Sequence, residues 1–263
     1  MRRLSILALL LLATAACGGD DSNSPTAPSV AGPVMNGTTD MVYIGQRITF
    51  TASGTGLTWG GDNPAVATVD AATGAVTGIG TGRVTIWAQN ADGRTTRLLR
   101  GLPSYNGSWS GSYSLTGCQS SGDWASNPFC VGFDEGQIMT IGFEITQSRD
   151  QVIGNVSLGT IQGPLSSSVV NEDGSLPLTG VITIGDVTIQ LQNLRATSPS
   201  AGTMKGQFDQ VWSMSSESGT GRLACDIRDV TRTSGVPTMR LFSHDANAPA
   251  LSLTQLIDAV VRR

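Results

Sequence analysis

After about residue 40, the chain consists of short segments in which apolar and polar residues alternate. Glycine, asparagine, aspartate and proline separate these segments. Alternation places successive side chains on opposite faces of an extended strand, so that one face can be buried while the other meets water. The 33 glycines, the 5% aromatic content and the many Ser and Thr residues disfavour long helices. The pattern predicts an all-β protein.

The charge of the chain limits the partners that it can bind. Its 263 residues carry 16 basic and 20 acidic side chains, for a formal net charge of −4, and the sequence has no cluster of Lys and Arg. Proteins that bind phosphate backbones need such a cluster. We therefore expect no nucleic acid partner. The length suits two modest domains.

The N-terminus has the pattern of a secretory signal. Met1-Arg2-Arg3 precedes an apolar run, Leu4 to Ala13, that is too short to span a bilayer. The next residues, Thr14-Ala15-Ala16-Cys17, resemble the bacterial lipobox, whose cysteine is acylated and becomes the new N-terminus. The resemblance implies a lipoprotein signal peptide over residues 1–16 and a lipid bilayer contact through acylated Cys17. Gly18 in place of aspartate implies the outer membrane, facing either the periplasm or the cell surface.

Two modules are expected to follow the signal. Residues 17–34 are rich in Gly, Ser, Asp and Pro and predict a flexible tether. Short alternating runs from Met41 to Leu99 predict a β-sandwich that closes over Trp59. Val84, Ile86 and Ala88 share one face of such a strand.

The first module resembles a known family. The segments LTWGGDNPAVATVD (Leu57 to Asp70) and GAVTGIGTGRVTIWA (Gly74 to Ala88) are similar to the bacterial immunoglobulin-like domain, group 2. The resemblance implies an Ig-like domain over residues 35–101 that serves as a spacer or an adhesive unit and has no catalytic residues. Gly60-Gly61 replaces the usual serines, and Trp87 replaces a small polar residue. Trp87 is therefore either an incidental substitution in a spacer or part of an exposed contact patch.

The second module, residues 104–234, predicts an eight-stranded antiparallel meander that closes into an up-and-down barrel. Its tight turns include Asn171-Glu172-Asp173-Gly174 and Gly185-Asp186. The pattern resembles small calycin-like barrels in arrangement alone, and this likeness implies no function. The eight predicted strands are Ser108 to Gly117, Gln137 to Gln147, Gln151 to Leu158, Gly163 to Asn171, Ser175 to Ile184, Val187 to Leu194, Thr203 to Met214, and Arg222 to Thr231.

A C-terminal tail, residues 235–263, is expected to end in a short amphipathic helix. Ser252 and Gln255 have capping-box spacing, and an apolar stripe follows them. We expect this helix to dock on one end of the barrel or on a partner.

Three cysteines remain once Cys17 is acylated, so one of them has no partner. Cys225 shares an inward strand face with Leu223 and Ile227, where a thiol behaves as a small core residue. Cys118 and Cys130 bracket a loop rich in turn formers. We expect a Cys118–Cys130 disulfide, and the alternative is a Cys118–Cys225 bond between the first and last strands.

The loop between Cys118 and Glu135 holds the ligand-binding candidates. Aromatic rings beside carboxylates suit stacking on sugars or peptides and hydrogen bonding to them. The alternative is that these aromatic residues close one end of the barrel as part of its core. The candidates are Trp124, Phe129, Phe133, Asp123, Asp134 and Glu135.

Catalytic chemistry has little support in the sequence. The single histidine, His244, lies in the tail, and no Gly-x-Ser-x-Gly elbow accompanies it. Three widely spaced cysteines without histidine do not form a zinc site. We expect no enzyme activity, no catalytic residue, no metal and no cofactor. A pair of carboxylates for glycoside hydrolysis, drawn from Asp123, Asp134, Glu135 and Glu144, is the least favoured alternative.

These observations predict a membrane-anchored envelope lipoprotein. In this interpretation a binding or adhesion module is displayed on an Ig-like spacer, and envelope polysaccharide or protein is its ligand. The main alternative is a purely structural envelope protein with a filled barrel.

Overall fold

The alternating segments of the N-terminal region form two facing sheets. The computed structural model describes residues 32–125, 129–198 and 202–233, together with Gln255 and Ile257. Strands pair in a four-stranded sheet, β1-β7-β6-β3, and a three-stranded sheet, β2-β5-β4. These strands are β1 (Met41–Tyr43), β2 (Arg47–Thr49), β3 (Thr58–Gly61), β4 (Ala67–Val69), β5 (Ala75–Gly78), β6 (Gly82–Asn90) and β7 (Gly93–Leu102).

One apolar cluster lies between these two sheets. The inward residues Val84, Ile86 and Ala88 of β6 are buried in it, because alternate side chains of a strand point to the same face. Trp59 of β3 is buried in the same cluster. The predicted sandwich, its inward face and the core position of Trp59 are confirmed.

The second region is a closed antiparallel barrel in the described part of the chain. Each strand pairs with the next, and β15 pairs with β8 to close the ring. All eight predicted segments overlap one of these strands, so the predicted barrel is confirmed. The strands are β8 (Gly107–Ser121), β9 (Ile138–Ser148), β10 (Gln151–Leu158), β11 (Ile161–Val169), β12 (Leu176–Ile184), β13 (Val187–Thr197), β14 (Thr203–Met214) and β15 (Thr220–Arg232).

Large side chains pack inside the barrel. Inward residues of all eight strands belong to one buried apolar cluster. Aromatic rings contribute much of its volume, and an eight-stranded barrel is narrow enough for side chains to fill. The largest fully buried aromatic residues are Trp109, Trp124, Trp212, Tyr105, Tyr113, Phe129 and Phe143.

The barrel core extends into the Ig-like region. Met41 of β1 and Leu102 of β7 are buried in the barrel cluster and not in the sandwich cluster. Four residues separate β7 from β8. The chain therefore passes from one sheet system to the other near the predicted boundary, but apolar packing crosses that boundary.

The two-residue turn between β9 and β10 is a second point of contact. Arg149 donates to Asp40 at 2.6 Å and 2.7 Å, and its carbonyl oxygen accepts a hydrogen bond from the Tyr43 hydroxyl at 2.9 Å. Arg100 donates to the Asp150 carboxylate at 3.0 Å. Arg149 has a left-handed backbone with φ 61°, which costs free energy for a residue with a side chain. Contacts with the Ig-like region hold both residues of this turn.

Several predicted segments lie outside the described residues. These include the signal peptide, nearly all of the tether, and most of the tail with its helix from Ser252. Gln255 and Ile257 are the described residues of the tail. Ile257 is partly buried and packs against the barrel cluster.

Candidate functional site

A disulfide joins the first barrel strand to the loop that follows it. Cys118 and Cys130 are bonded with their Cα atoms 5.7 Å apart, and Cys225 is a buried free thiol. The predicted pairing is confirmed, and the alternative Cys118–Cys225 bond is wrong. Cys225 points into the barrel because it alternates with Leu223 and Ile227, whose side chains are also buried.

The three aromatic residues of this loop lie in the core. Trp124, Phe129 and Phe133 are 0%, 1% and 4% exposed. The Trp124 and Phe129 rings are stacked with centroids 5.1 Å apart, and both phenylalanines pack against Trp212 at 5.8 Å. This arrangement corrects the expectation of an exposed aromatic surface. The rings close one end of the barrel, as in the alternative interpretation, because burial of aromatic area outweighs the ordering of the loop.

Neighbouring groups hold the loop in place. The Trp124 indole N–H donates to the Glu217 carboxylate. Asp123 accepts a hydrogen bond from the Ser218 backbone N–H at 2.9 Å. A Cβ on Gly219 would lie 2.1 Å from the Trp124 ring, so this position requires glycine. Asp123 therefore has a structural role at this end of the barrel.

The remaining acidic candidates do not converge on a cleft. Asp134 and Glu135 are exposed on the loop before β9. Glu144 accepts a hydrogen bond from the Ser108 hydroxyl at 2.9 Å on the outer side of the barrel. The structure brings the loop aromatic residues together in the core, whereas Asp134 and Glu135 are exposed and Glu144 lies on the outer side of the barrel.

A small polar network lies inside the barrel. The Gln210 amide donates to the Tyr113 hydroxyl at 3.0 Å and accepts from the Trp212 indole at 3.1 Å. Burial raises the pKa of Tyr113 and raises the pKa of the Cys225 thiol to about 12, so both groups stay neutral near pH 7. Every buried side-chain N or O atom in the described residues has a hydrogen-bond partner. Among the described residues, the interior therefore offers no unpaired polar side-chain group to a ligand.

The described residues contain no group of three or more His, Cys, Asp or Glu side chains placed to hold a metal ion. They also include no helix with the length and apolar character needed to cross a membrane.

A surface depression of about 490 Å³ lies on the outer face of β14 and β15. Its lining carries both signs of charge, with Lys205 and Arg228 beside Asp226. Gln207 donates to Asp226 at 3.0 Å, and Arg228 donates to Ser114 at 2.8 Å. Because its charges are mixed and two of them are already bonded, this depression favours no particular ligand charge.

A different surface feature lies on the Ig-like region, around Trp87 of β6. The other four tryptophans are buried, whereas Trp87 is partly exposed and belongs to neither apolar cluster. Its cross-strand partner is Gly60 of β3. A Cβ on Gly60 would lie 2.2 Å from the Trp87 ring, so the ring rests where a serine side chain would otherwise stand. Gly60 and Trp87, which both differ from the residues usual in the family that this segment resembles, are therefore complementary in shape.

Arg94 of β7 completes this feature. Its guanidinium carbon lies 4.5 Å from the centre of the Trp87 ring, in a cation–π contact. A shallow pocket of about 350 Å³ adjoins the ring, and its lining includes Thr58, Gln89 and Asn90. We name the set Trp87, Gly60, Arg94, Thr58 and Gln89 the Trp87 patch.

Sequence reasoning singled out Trp87 but missed Arg94. The two residues are seven positions apart, and they meet because the hairpin between β6 and β7 pairs Asn90 with Gly93. This turn places Arg94 diagonally across from Trp87 on the same face. The signal that could have revealed this pair is the two-residue turn Ala91-Asp92, followed by Gly93, which indicates a hairpin between the two strands.

Comparison with known proteins concerns the Ig-like region. Residues 44–92 match the family described as "Intimin, immunoglobulin-like domain". Comparison with curated proteins finds none that matches the chain. The matched range contains β2 to β6, Trp59 and Trp87, so it includes most of the sandwich core and most of the Trp87 patch. Residues 44–92 are therefore similar to the immunoglobulin-like domain of intimin, which supports a bacterial Ig-like domain in this part of the chain.

Proposed function

We propose that this protein is a lipid-anchored adhesion module of the bacterial envelope. The observation that carries the proposal is the intimin-type Ig-like domain, which is typical of an adhesion-related bacterial surface module. The lipobox-like residues ending at Cys17 support an outer-membrane anchor. Several acyl chains on one cysteine give effectively permanent membrane attachment.

In this proposal the outer surfaces make the binding contacts. The packed barrel and the buried loop aromatics support this assignment, because their side chains occupy the interior and one end of the barrel in the described part of the chain. The Ig-like domain acts as more than a flexible spacer. Its packing through Met41 and Leu102, with ion pairs to Arg149 and Asp150, supports a fixed orientation relative to the barrel.

A second candidate function is purely structural. The observation that favours it is again the filled barrel, which resembles a packed core more than a ligand carrier. Under this hypothesis the protein would stabilise the envelope without contacting external ligands. We further propose that it is not an enzyme, since Asp123 and Glu144 accept hydrogen bonds that serve the fold.

Attachment of cells to surfaces tests the adhesion proposal. Cells of the native species, a strain lacking the gene, and the same strain carrying the gene again are compared for binding to one another and to polysaccharide-coated surfaces. Loss of the gene is expected to lower attachment several-fold, and its return should restore it. A gene encoding Cys17→Ala should not restore attachment, because the protein is then released from the membrane. Equal attachment of all strains, with altered envelope integrity in the deletion strain, would instead establish the structural function.

A further inference from the structure

We propose that the Trp87 patch is a binding site for acidic saccharides, with Arg94 as the carboxylate receptor. The inference rests on the proposed adhesion function and names the ligand class that the module binds. It depends on three observations about the outer face of the four-stranded sheet: the state of Arg94, the setting of Trp87, and the polar groups beside the ring.

The first observation is that Arg94 is available. Three arginines, Arg83, Arg94 and Arg100, project from the outer face of β6 and β7. Arg83 is paired with Glu172 at 2.5 Å, and Arg100 is paired with Asp150 at 3.0 Å, both on the barrel. Arg94 is exposed and makes no ion pair with any described residue. It is therefore the arginine of this face whose donors can reach an added anion.

Two acidic residues near the patch already accept hydrogen bonds, Asp62 from a backbone N–H and Asp92 from a side-chain amide. Asp62 accepts a hydrogen bond from the Thr85 N–H at 2.7 Å, and this bond is the largest cause of its lowered pKa. The Asp92 carboxylate accepts a hydrogen bond from the Asn90 amide at 3.2 Å. Neither carboxylate forms a salt bridge with Arg94.

The second observation is that Trp87 preorganises Arg94. The indole ring is seated on Gly60, which fixes its position, and the guanidinium lies over the ring at 4.5 Å. A stacked guanidinium keeps its N–H groups in the plane, where they can bind a carboxylate with two parallel hydrogen bonds. Less side-chain entropy is then lost when the anion binds.

The third observation is the chemistry beside the ring. Thr58 and Gln89 are directly paired across β3 and β6, and both are exposed at the rim of the 350 Å³ pocket. A hydroxyl and an amide can exchange hydrogen bonds with sugar hydroxyls, while the exposed part of the indole contacts the C–H groups of the sugar ring. A carboxylate, hydroxyls and an apolar ring face occur together in a uronic acid. An acidic peptide also has carboxylates, but it lacks the sugar ring and its hydroxyl groups.

Binding to defined oligosaccharides tests the proposal. The mature full chain is titrated with oligogalacturonate, oligomannuronate and hyaluronate fragments, and with the methyl ester of each, by calorimetry and by tryptophan fluorescence. We expect at least one free acid to bind, and its uncharged ester to bind at least tenfold more weakly. Failure of all three acids to bind, or equal binding of acid and ester, would overturn the proposal. Equal binding of a polyglutamate peptide would assign the patch to acidic peptides instead and would also overturn it.

Variants locate the site on the protein. Arg94→Gln is expected to weaken binding of the acid at least tenfold and to remove the difference between acid and ester. Gly60→Ser should also weaken binding, because its side chain displaces the Trp87 ring. Arg47→Gln is the matched control, since Arg47 is also exposed but lies on the other sheet of the same domain. Unfolding curves verify that each variant is folded, and Trp87→Phe provides a milder change if Gly60→Ser is unstable. If Arg94→Gln binds as tightly as the wild type, the patch is not the site.

The same variants separate this inference from the proposed function. Cells that carry Arg94→Gln and still attach like the wild type would overturn the saccharide site while leaving the adhesion function intact. The same conclusion follows if the deletion strain loses attachment but cells that carry Arg94→Gln do not. No attachment phenotype in the deletion strain would instead remove the adhesion function itself.

Discussion

Leu99 and Leu102 lie three positions apart in β7 and are both 0% exposed, but their side chains belong to different cores. Leu99 packs in the sandwich cluster, whereas Leu102 packs in the barrel cluster. A single strand of the Ig-like domain therefore supplies both cores. This sharing couples the stability of the two regions through one rigid element.

Alanine substitution of each leucine measures this coupling. Both changes remove a buried side chain and should lower the free energy of unfolding by about 2–5 kcal/mol. Leu102→Ala is expected to weaken amide hydrogen-exchange protection in β8 and β9, and Leu99→Ala to weaken it first in β3 and β6. Loss of protection limited to the Ig-like strands in Leu102→Ala would show that this side chain does not stabilise the barrel.

The loop aromatics are expected to stabilise the barrel end. Trp124→Ala should lower the free energy of unfolding by about 3–5 kcal/mol, because it removes a fully buried ring that stacks on Phe129. Val131→Ala in the same loop is the matched control, since Val131 is 82% exposed, and should change it by less than about 0.5 kcal/mol. Urea unfolding measures both. Equal stabilities of the two variants would contradict the burial of Trp124.

The three mature cysteines other than Cys17 should differ in reactivity. Peptide mapping without reduction is expected to recover a Cys118–Cys130 cross-link and an unmodified Cys225, because the Cys225 thiol is buried. Cys225 should react with iodoacetamide only after the protein is unfolded. Replacing Cys118 and Cys130 with alanine should cost about 3 kcal/mol of stability in the loop-entropy view. Rapid alkylation of Cys225 in the native protein would contradict its position inside the barrel.

The Cys225 thiol should also make stability fall at alkaline pH. Its pKa is raised from 9.0 to about 12 by burial, so above pH 9 the unfolded chain loses this proton while the folded protein keeps it. Stability from this group is complete below pH 9 and is lost as the pH rises toward 12. Between pH 8.5 and 10 we expect a decrease of about 1 kcal/mol, which Cys225→Ala should remove. An unchanged slope in Cys225→Ala would assign the decrease to other groups.

Acylation at Cys17 is the basis of the proposed anchor. In the native cell the wild-type protein should fractionate with membranes, and its N-terminal peptide should carry acyl chains by mass spectrometry. Cys17→Ala should leave the membrane fraction, because the chains hold the protein there. Membrane retention of Cys17→Ala, together with an unacylated wild-type peptide, would rule out the anchor.

The sequence by itself determined the local structure of this protein. Period-two alternation predicted the strands, because each strand must bury one face, and tight-turn residues predicted that neighbouring strands pair in sequence. Cys225 was predicted to lie on an inward strand face, so Cys118 and Cys130 were correctly predicted to form the disulfide. Trp59 was correctly predicted to be a core residue, because the alternating strands around it can close over its side chain.

Only the tertiary structure decided which loop side chains are buried and which residues meet across neighbouring strands. Periodicity cannot predict whether an aromatic side chain in a loop points outward or inward, because loops have no repeating geometry. Trp124, Phe129 and Phe133 are buried because the end of the barrel that they cover would otherwise be open. The seating of Trp87 on Gly60 and the stacking of Arg94 depend on strand register, which the chain sets through its hairpins. β7 contributes to two cores because Leu99 packs in the sandwich cluster and Leu102 packs in the barrel cluster. Which cluster each leucine joins depends on how the two sheet systems pack together.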